Sequence, residues 1–109
     1  MEGILRGRLP VTDPDLQFYY GVSLYRLGRP KEGAAILKKA WRNGYQDARS
    51  LFYLGSAMSD AGNLEEAESY LEMAWHKERY NHEIRKALAD VYRKRGKLEK
   101  AAAIITGKK

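Results

Sequence analysis

The chain is predicted to be all-α, a solenoid of three stacked helical hairpins, and three observations predict it. The first is a fixed recurrence in the 109 residues: Tyr20-Gly21 and Gly28 return 34 places later as Leu54-Gly55 and Gly62, then as Leu88-Ala89 and Gly96. The second is an alternation of bulky and tiny side chains at helical spacing within each unit. The third is punctuation, because each of Gly28, Gly62 and Gly96 falls between two periodic runs. A period of this length with two helical runs per unit is the mark of a stacked array rather than of a single closed core.

Each element follows from its own residues. The first halves read Gln17-Tyr20-Gly21-Leu24, Leu51-Leu54-Gly55-Met58 and Arg85-Leu88-Ala89-Tyr92. The second halves read Gly33-Leu37-Ala40, Ala67-Leu71-Ala74 and Ala101-Ile105-Lys108. The small members leave room for a neighbouring helix to approach closely. Asp13-Pro14 opens the first helix and Pro30 the second, where a missing N–H costs nothing. Asp47, Asn81, and Asn63 paired with Glu66, are expected N-caps. Glycine after each first helix suits a left-handed C-terminus. These signals place helices over 14–27, 30–43, 48–61, 64–77, 82–95 and 98–106. The units are then 14–47, 48–81 and 82–109, behind an N-terminal extension, 1–13, with the last second-helix cut short.

In these positions the chain resembles the tetratricopeptide repeat, whose hairpin carries W-x2-L-G-x2-Y in its first helix and A-x3-F-x2-A in its second. The resemblance spans residues 14–109. It departs from the motif in lacking the Trp of every first helix, and in having Tyr45 and Arg79 where a closing proline often stands. The join Lys39 to Ala48 is also similar to that between Sel1-like repeats, which usually have a longer inner loop.

The resemblance implies a right-handed solenoid with a concave groove lined by the first helices and used to hold a partner's peptide or helix. By register the groove set is Asp15, Phe18, Tyr19, Val22 and Tyr25, then Arg49, Phe52, Tyr53, Ser56 and Ser59, then Glu83, Lys86, Ala87, Asp90 and Arg93. Phe18, Val22 and Phe52 would form an apolar wall, with packing as their other reading. Arg49, Lys86 and Arg93 would form a charged end suited to a carboxylate. The two-carboxylate clamp of some family members is absent, since Phe18, Val22, Tyr53, Glu83 and Ala87 stand at its positions. The implied function is a non-catalytic protein-interaction module.

Composition narrows the alternatives. No Cys is present, which rules out thiolate chemistry and is compatible with a reducing cytoplasm. No stretch approaches the ~20 apolar residues of a membrane span. His76 and His82 are too far apart in register to share a metal, and no nucleophile–base pair or phosphate loop appears, so neither cofactor nor catalysis is expected. The net charge of +6 is uneven: +3 over residues 14–47, −3 over 48–81 and +6 over 82–109. The run Arg93-Lys94-Arg95-Gly96-Lys97 could contact phosphate, although a solvated turn is its plainer reading. Trp41 and Trp75 share one register and are expected in the inter-helix core, as are Tyr45 and Tyr80 at the joins. The unfinished C-terminal face, containing Leu98, Ile104 and Ile105, raises self-assembly into a homo-oligomer as a second function.

Overall fold

A computed structural model describes residues 13–106 as six helices: α1 (Pro14–Arg26), α2 (Pro30–Arg42), α3 (Ala48–Asp60), α4 (Leu64–Lys77), α5 (His82–Lys94) and α6 (Leu98–Thr106). Most of the expected extension at 1–13, and the end at Gly107-Lys108-Lys109, lie outside the described residues. Expected helix ends differ from observed ones by one residue at α1, α2, α3 and α5. In each case the extra residue (Leu27, Asn43, Ala61, Arg95) is the C-cap.

Consecutive helices pack as hairpins, α1 with α2, α3 with α4 and α5 with α6, and each hairpin packs on the next through α2–α3 and α4–α5. The backbones of the first helices also approach one another, α1 with α3 and α3 with α5, whereas α2 and α4 meet only through side chains, Trp41 with Tyr70 and Lys38 with Glu66. The result is a two-layer slab, 50 × 23 × 18 Å, with α1, α3 and α5 side by side in one layer. Leu37, Leu54, Leu71 and Leu88 form a fully buried ladder through the stack. Each such burial is worth roughly 1.5–3 kcal/mol over exposure.

The tiny residues set how closely the layers approach. A Cβ on Gly21 would stand 2.6 Å from Leu37 Cγ, and one on Gly55 would stand 2.5 Å from Leu71 Cγ. On Gly33 it would meet backbone, 2.9 Å from the Gly21 carbonyl oxygen and 2.9 Å from the Tyr25 amide nitrogen. Ala89 takes the place of Gly21 and Gly55 in the third hairpin, and the fit changes there. Ile105, in the register of Leu37 and Leu71, is exposed, while Ile104 turns into the core. Exposure of Ile105 agrees with the unfinished face expected at this end, whereas Ile104, placed on that face from sequence, is buried; no helix among the described residues covers α6 from outside.

The turns are built by glycine. At Gly62 (φ +94°) the amide donates to the Ser59 carbonyl at 3.0 Å and Asn63 donates to Met58 at 2.9 Å, the paired bonds of a Schellman ending. The same pairs recur at Gly28 and Gly96. Nothing lies within 4 Å of a Cβ placed on Gly62, so Gly62→Ala carries only the backbone cost. It is expected to lower stability by about 1–2 kcal/mol, read as a lower melting temperature by circular dichroism. Gly44 (φ +107°) ends α2 in the same way, a role sequence reading missed. One period later Glu78 stands in its place, α4 runs to 14 residues, and the chain leaves it at negative φ (φ −137°, ψ 82°) instead of through a left-handed residue.

Asp13, Asp47 and Asn81 cap their helices with side-chain bonds of 2.9–3.0 Å. Asn63 makes no side-chain cap, which corrects the expected pairing with Glu66. Its amide already closes the Schellman turn, its backbone is not extended as in the working caps, and its Nδ2 donates weakly to Met58 Sδ at 3.7 Å. Tyr80 is a further correction. It lies on the α4–α5 loop at 89% exposure and packs against no core. Trp41 and Trp75 are half-buried against the core, Trp41 edge-on to Tyr70 and Trp75 beneath the Arg85 guanidinium.

Candidate interaction face

The α1–α3–α5 layer carries the residues singled out from sequence, but not all at its surface. Phe18 is fully buried and Val22 nearly so, so neither offers a wall to a partner. Tyr45, from the α2–α3 loop, covers the Phe18 ring at 4.6 Å between centroids. Phe52, one period on, is half-buried, because the place of Tyr45 there is taken by exposed Arg79. Lys86, one period further, is exposed on α5. A single register thus passes from core to surface along the stack.

What the face does present is a tyrosine-rich ladder. Phe18 packs edge-on to Tyr19 at 5.3 Å and to Tyr53 at 5.9 Å, and Tyr53 in turn packs edge-on to Phe52 at 5.2 Å and Tyr25 at 6.3 Å. Offset contacts of this kind stabilise ring pairs beyond their buried area. Arg26 donates to the Tyr53 hydroxyl at 3.0 Å, and its guanidinium lies over that ring. The Arg49 guanidinium sits 5.4 Å from the centre of the Phe18 ring.

Two depressions flank the ladder. One, of about 180 Å³, is lined by Tyr25, Ser56, Ser59, Asp60, Ala87 and Asp90. Burial pushes the Tyr25 hydroxyl above its ordinary pKa, and the Asp60 charge beside it adds to the shift. Hydrogen bonding from Arg93 holds the Asp90 carboxyl below its usual range, with Lys94 assisting. The second depression, of about 260 Å³, is lined by Arg49, Phe52, Tyr53, Glu78, Asn81 and Glu83. Of the sequence-derived set, Tyr25, Ser56, Ser59, Ala87 and Asp90 therefore share one hollow, and Arg49, Phe52, Tyr53 and Glu83 share the other.

The charged end differs from the expected one. Arg93 pairs with Asp90 at 2.7 Å, while Arg49 lines the second hollow together with Glu78 and Glu83, and Lys86 stands exposed on α5 outside both hollows. The rest of the basic run is also engaged: Lys94 with Asp90 at 3.2 Å, and Arg95 and Lys97 with Glu68 at 2.8 Å each. His76 and His82 are exposed, and among the described residues no group of three or more His, Cys, Asp or Glu is placed to hold a metal. No helix among them is long and apolar enough to cross a membrane.

A two-layer stack of helical hairpins, with α1, α3 and α5 side by side in one layer, defines a helical-repeat solenoid. The family model described as Tetratricopeptide repeat matches residues 58–107, and over that stretch the chain is similar to tetratricopeptide-repeat proteins. Among solved structures it is similar to a mutant of MamA, with a TM-score of 0.81 and 18% identity, over 86% of this chain and 69% of that one. At that identity the likeness concerns the fold. No curated protein sequence matches the chain.

Proposed function

We propose that the chain is a non-catalytic scaffold whose three units, 14–47, 48–81 and 82–109, hold an extended segment or helix of a partner protein across the α1–α3–α5 layer. The observation that carries this reading is the continuous ring ladder from Tyr19 to Phe52 between two hollows, with hydroxyls and charges at their rims. Aromatic side chains supply large contact area, while the surrounding polar groups fix orientation. A ligand with apolar side chains at alternating depth and mixed charge suits such a surface better than a purely acidic one. A cytoplasmic setting accords with the cysteine-free sequence.

The test is selection of peptides from a random display library, followed by mapping of amide shifts on the free domain. Shifts are expected at Tyr25, Tyr53, Ser56 and Lys86, and Tyr25→Ala with Lys86→Glu should weaken binding at least tenfold at unchanged melting temperature. Shifts confined to α2 and α4, or unaltered binding by the double variant, would remove the proposal.

A further inference from the structure

Two exposed apolar stripes stand at opposite ends of the stack, and each is in register with surface that the interior of the stack buries. On α1 and its C-cap, Leu16, Tyr20 and Leu27 are 46–74% exposed, with Ser23 exposed between them. One period on, Ser50, Leu54 and Ala57 are fully buried, and two periods on Ile84, Leu88 and Val91 are at most 1% exposed, while the register of Leu27 is half-buried at Ala61 and exposed at Arg95. These are the first helices that α2 and α4 pack against; no helix among the described residues packs on α1 in that way. On α6, Leu98 and Ile105 are 64% and 53% exposed, with exposed Ala102 between them. Their equivalents on α2 (Pro30, Ala34, Leu37) and α4 (Leu64, Glu68, Leu71) are buried or half-buried.

The geometry points to a second copy of this chain as the occupant: the α6 stripe of one copy packs on the α1 stripe of the next and continues the hairpin stack head to tail. The argument is continuity with the α2–α3 and α4–α5 interfaces, because only another copy brings a first-helix face in the same register. A pairwise check agrees. At the α4–α5 junction Glu68 meets Arg95 at 2.8 Å. The corresponding residues at the α2–α3 junction are Ala34 and Ala61, and at an α6–α1 junction they are Ala102 and Leu27. Thus an ion pair inside the stack is replaced at its two ends by two apolar side chains, both exposed, which match each other and leave no charge unpaired. Such an interface is heterologous, so it propagates into an open assembly rather than closing as a dimer.

Sedimentation velocity over a wide concentration range tests this. The wild-type weight-average mass is expected to climb through and beyond twice the 12.5 kDa chain mass. Tyr20→Glu (blocked on α1) and Ile105→Glu (blocked on α6) should each be monomeric, with self-association weakened at least tenfold. An equimolar mixture of the two should form a dimer and stop there, since each variant retains the face the other lacks. Leu27→Glu with Leu98→Glu should give the same pattern, which keeps the test independent of either variant's folding. A wild type that is monomeric up to millimolar concentration overturns the inference, whether the stripes are then covered by residues 1–12 or by a different protein. A plateau at dimer with only one variant affected also overturns it, because that outcome requires a face-to-face contact.

Discussion

Replacing Gly33 with alanine is expected to destabilise the fold by about 1–3 kcal/mol, the range for overpacking a close-fitted core. Helix propensity alone gives the opposite sign, since alanine in a helix is favoured over glycine by roughly 0.5–1 kcal/mol. The steric effect wins because the new methyl meets atoms that cannot swing aside: the Gly21 carbonyl oxygen and the Tyr25 amide, both at 2.9 Å and both backbone of α1. Relief requires α1 and α2 to separate along their length, which loosens Leu37 against Gly21. Gly55→Ala should cost less, because its nearest neighbours are Leu71 side-chain atoms that can change rotamer. Urea unfolding of both variants with an unchanged m-value checks the ranking. A Gly33→Ala protein as stable as wild type would mean that the first hairpin is not so closely packed.

Gly33 was legible in the sequence as a small residue at a recurring position, and so were the helices, their order and the glycine turns. Those features repeat every 34 residues, and local chemistry dictates them. What sequence could not give are the places where equivalent residues meet unlike neighbours. Phe18, Phe52 and Lys86 share one register, yet Tyr45 buries only the first of them. Asn63 has the residue type of a cap but is committed to the turn before it. The groove was therefore readable as a face, while its apolar wall was not. Its surface rings are exposed Tyr19 and half-buried Tyr25, Phe52 and Tyr53, with Phe18 and Val22 inside. The basic run is the clearest case, because its partner Glu68 lies 27 and 29 residues upstream of Arg95 and Lys97.

That pairing carries the second large effect. Glu68 is almost fully buried on α4 and accepts from Arg95 and Lys97, which flank Gly96 in the α5–α6 turn, so it pins the third hairpin to the second. Burial pushes its carboxyl up, but the bonds and charges of Lys97 and Arg95 outweigh this and hold it below the ordinary range. Removing one partner of a fully buried pair costs about 3–5 kcal/mol. Arg95 and Lys97 remain 28% and 34% exposed and can turn to water, which reduces the expected loss for Glu68→Gln to about 1–3 kcal/mol. The pH dependence follows from the direction of the shift. A carboxyl with a folded pKa below its unfolded value, about 4.3, contributes stability that is present above that value and lost as pH falls through the folded one. The gap between wild type and Glu68→Gln should therefore be constant from neutral pH down to about 5 and close as pH falls below about 4. Denaturant titrations at several pH values measure it. An equal gap at neutral and strongly acid pH would show that shape rather than charge holds the turn, and would free Arg95 and Lys97 for an outside anion. With the pairing intact, added salt should have little effect on any binding by the α5–α6 turn, since its cations have few phosphates to neutralise.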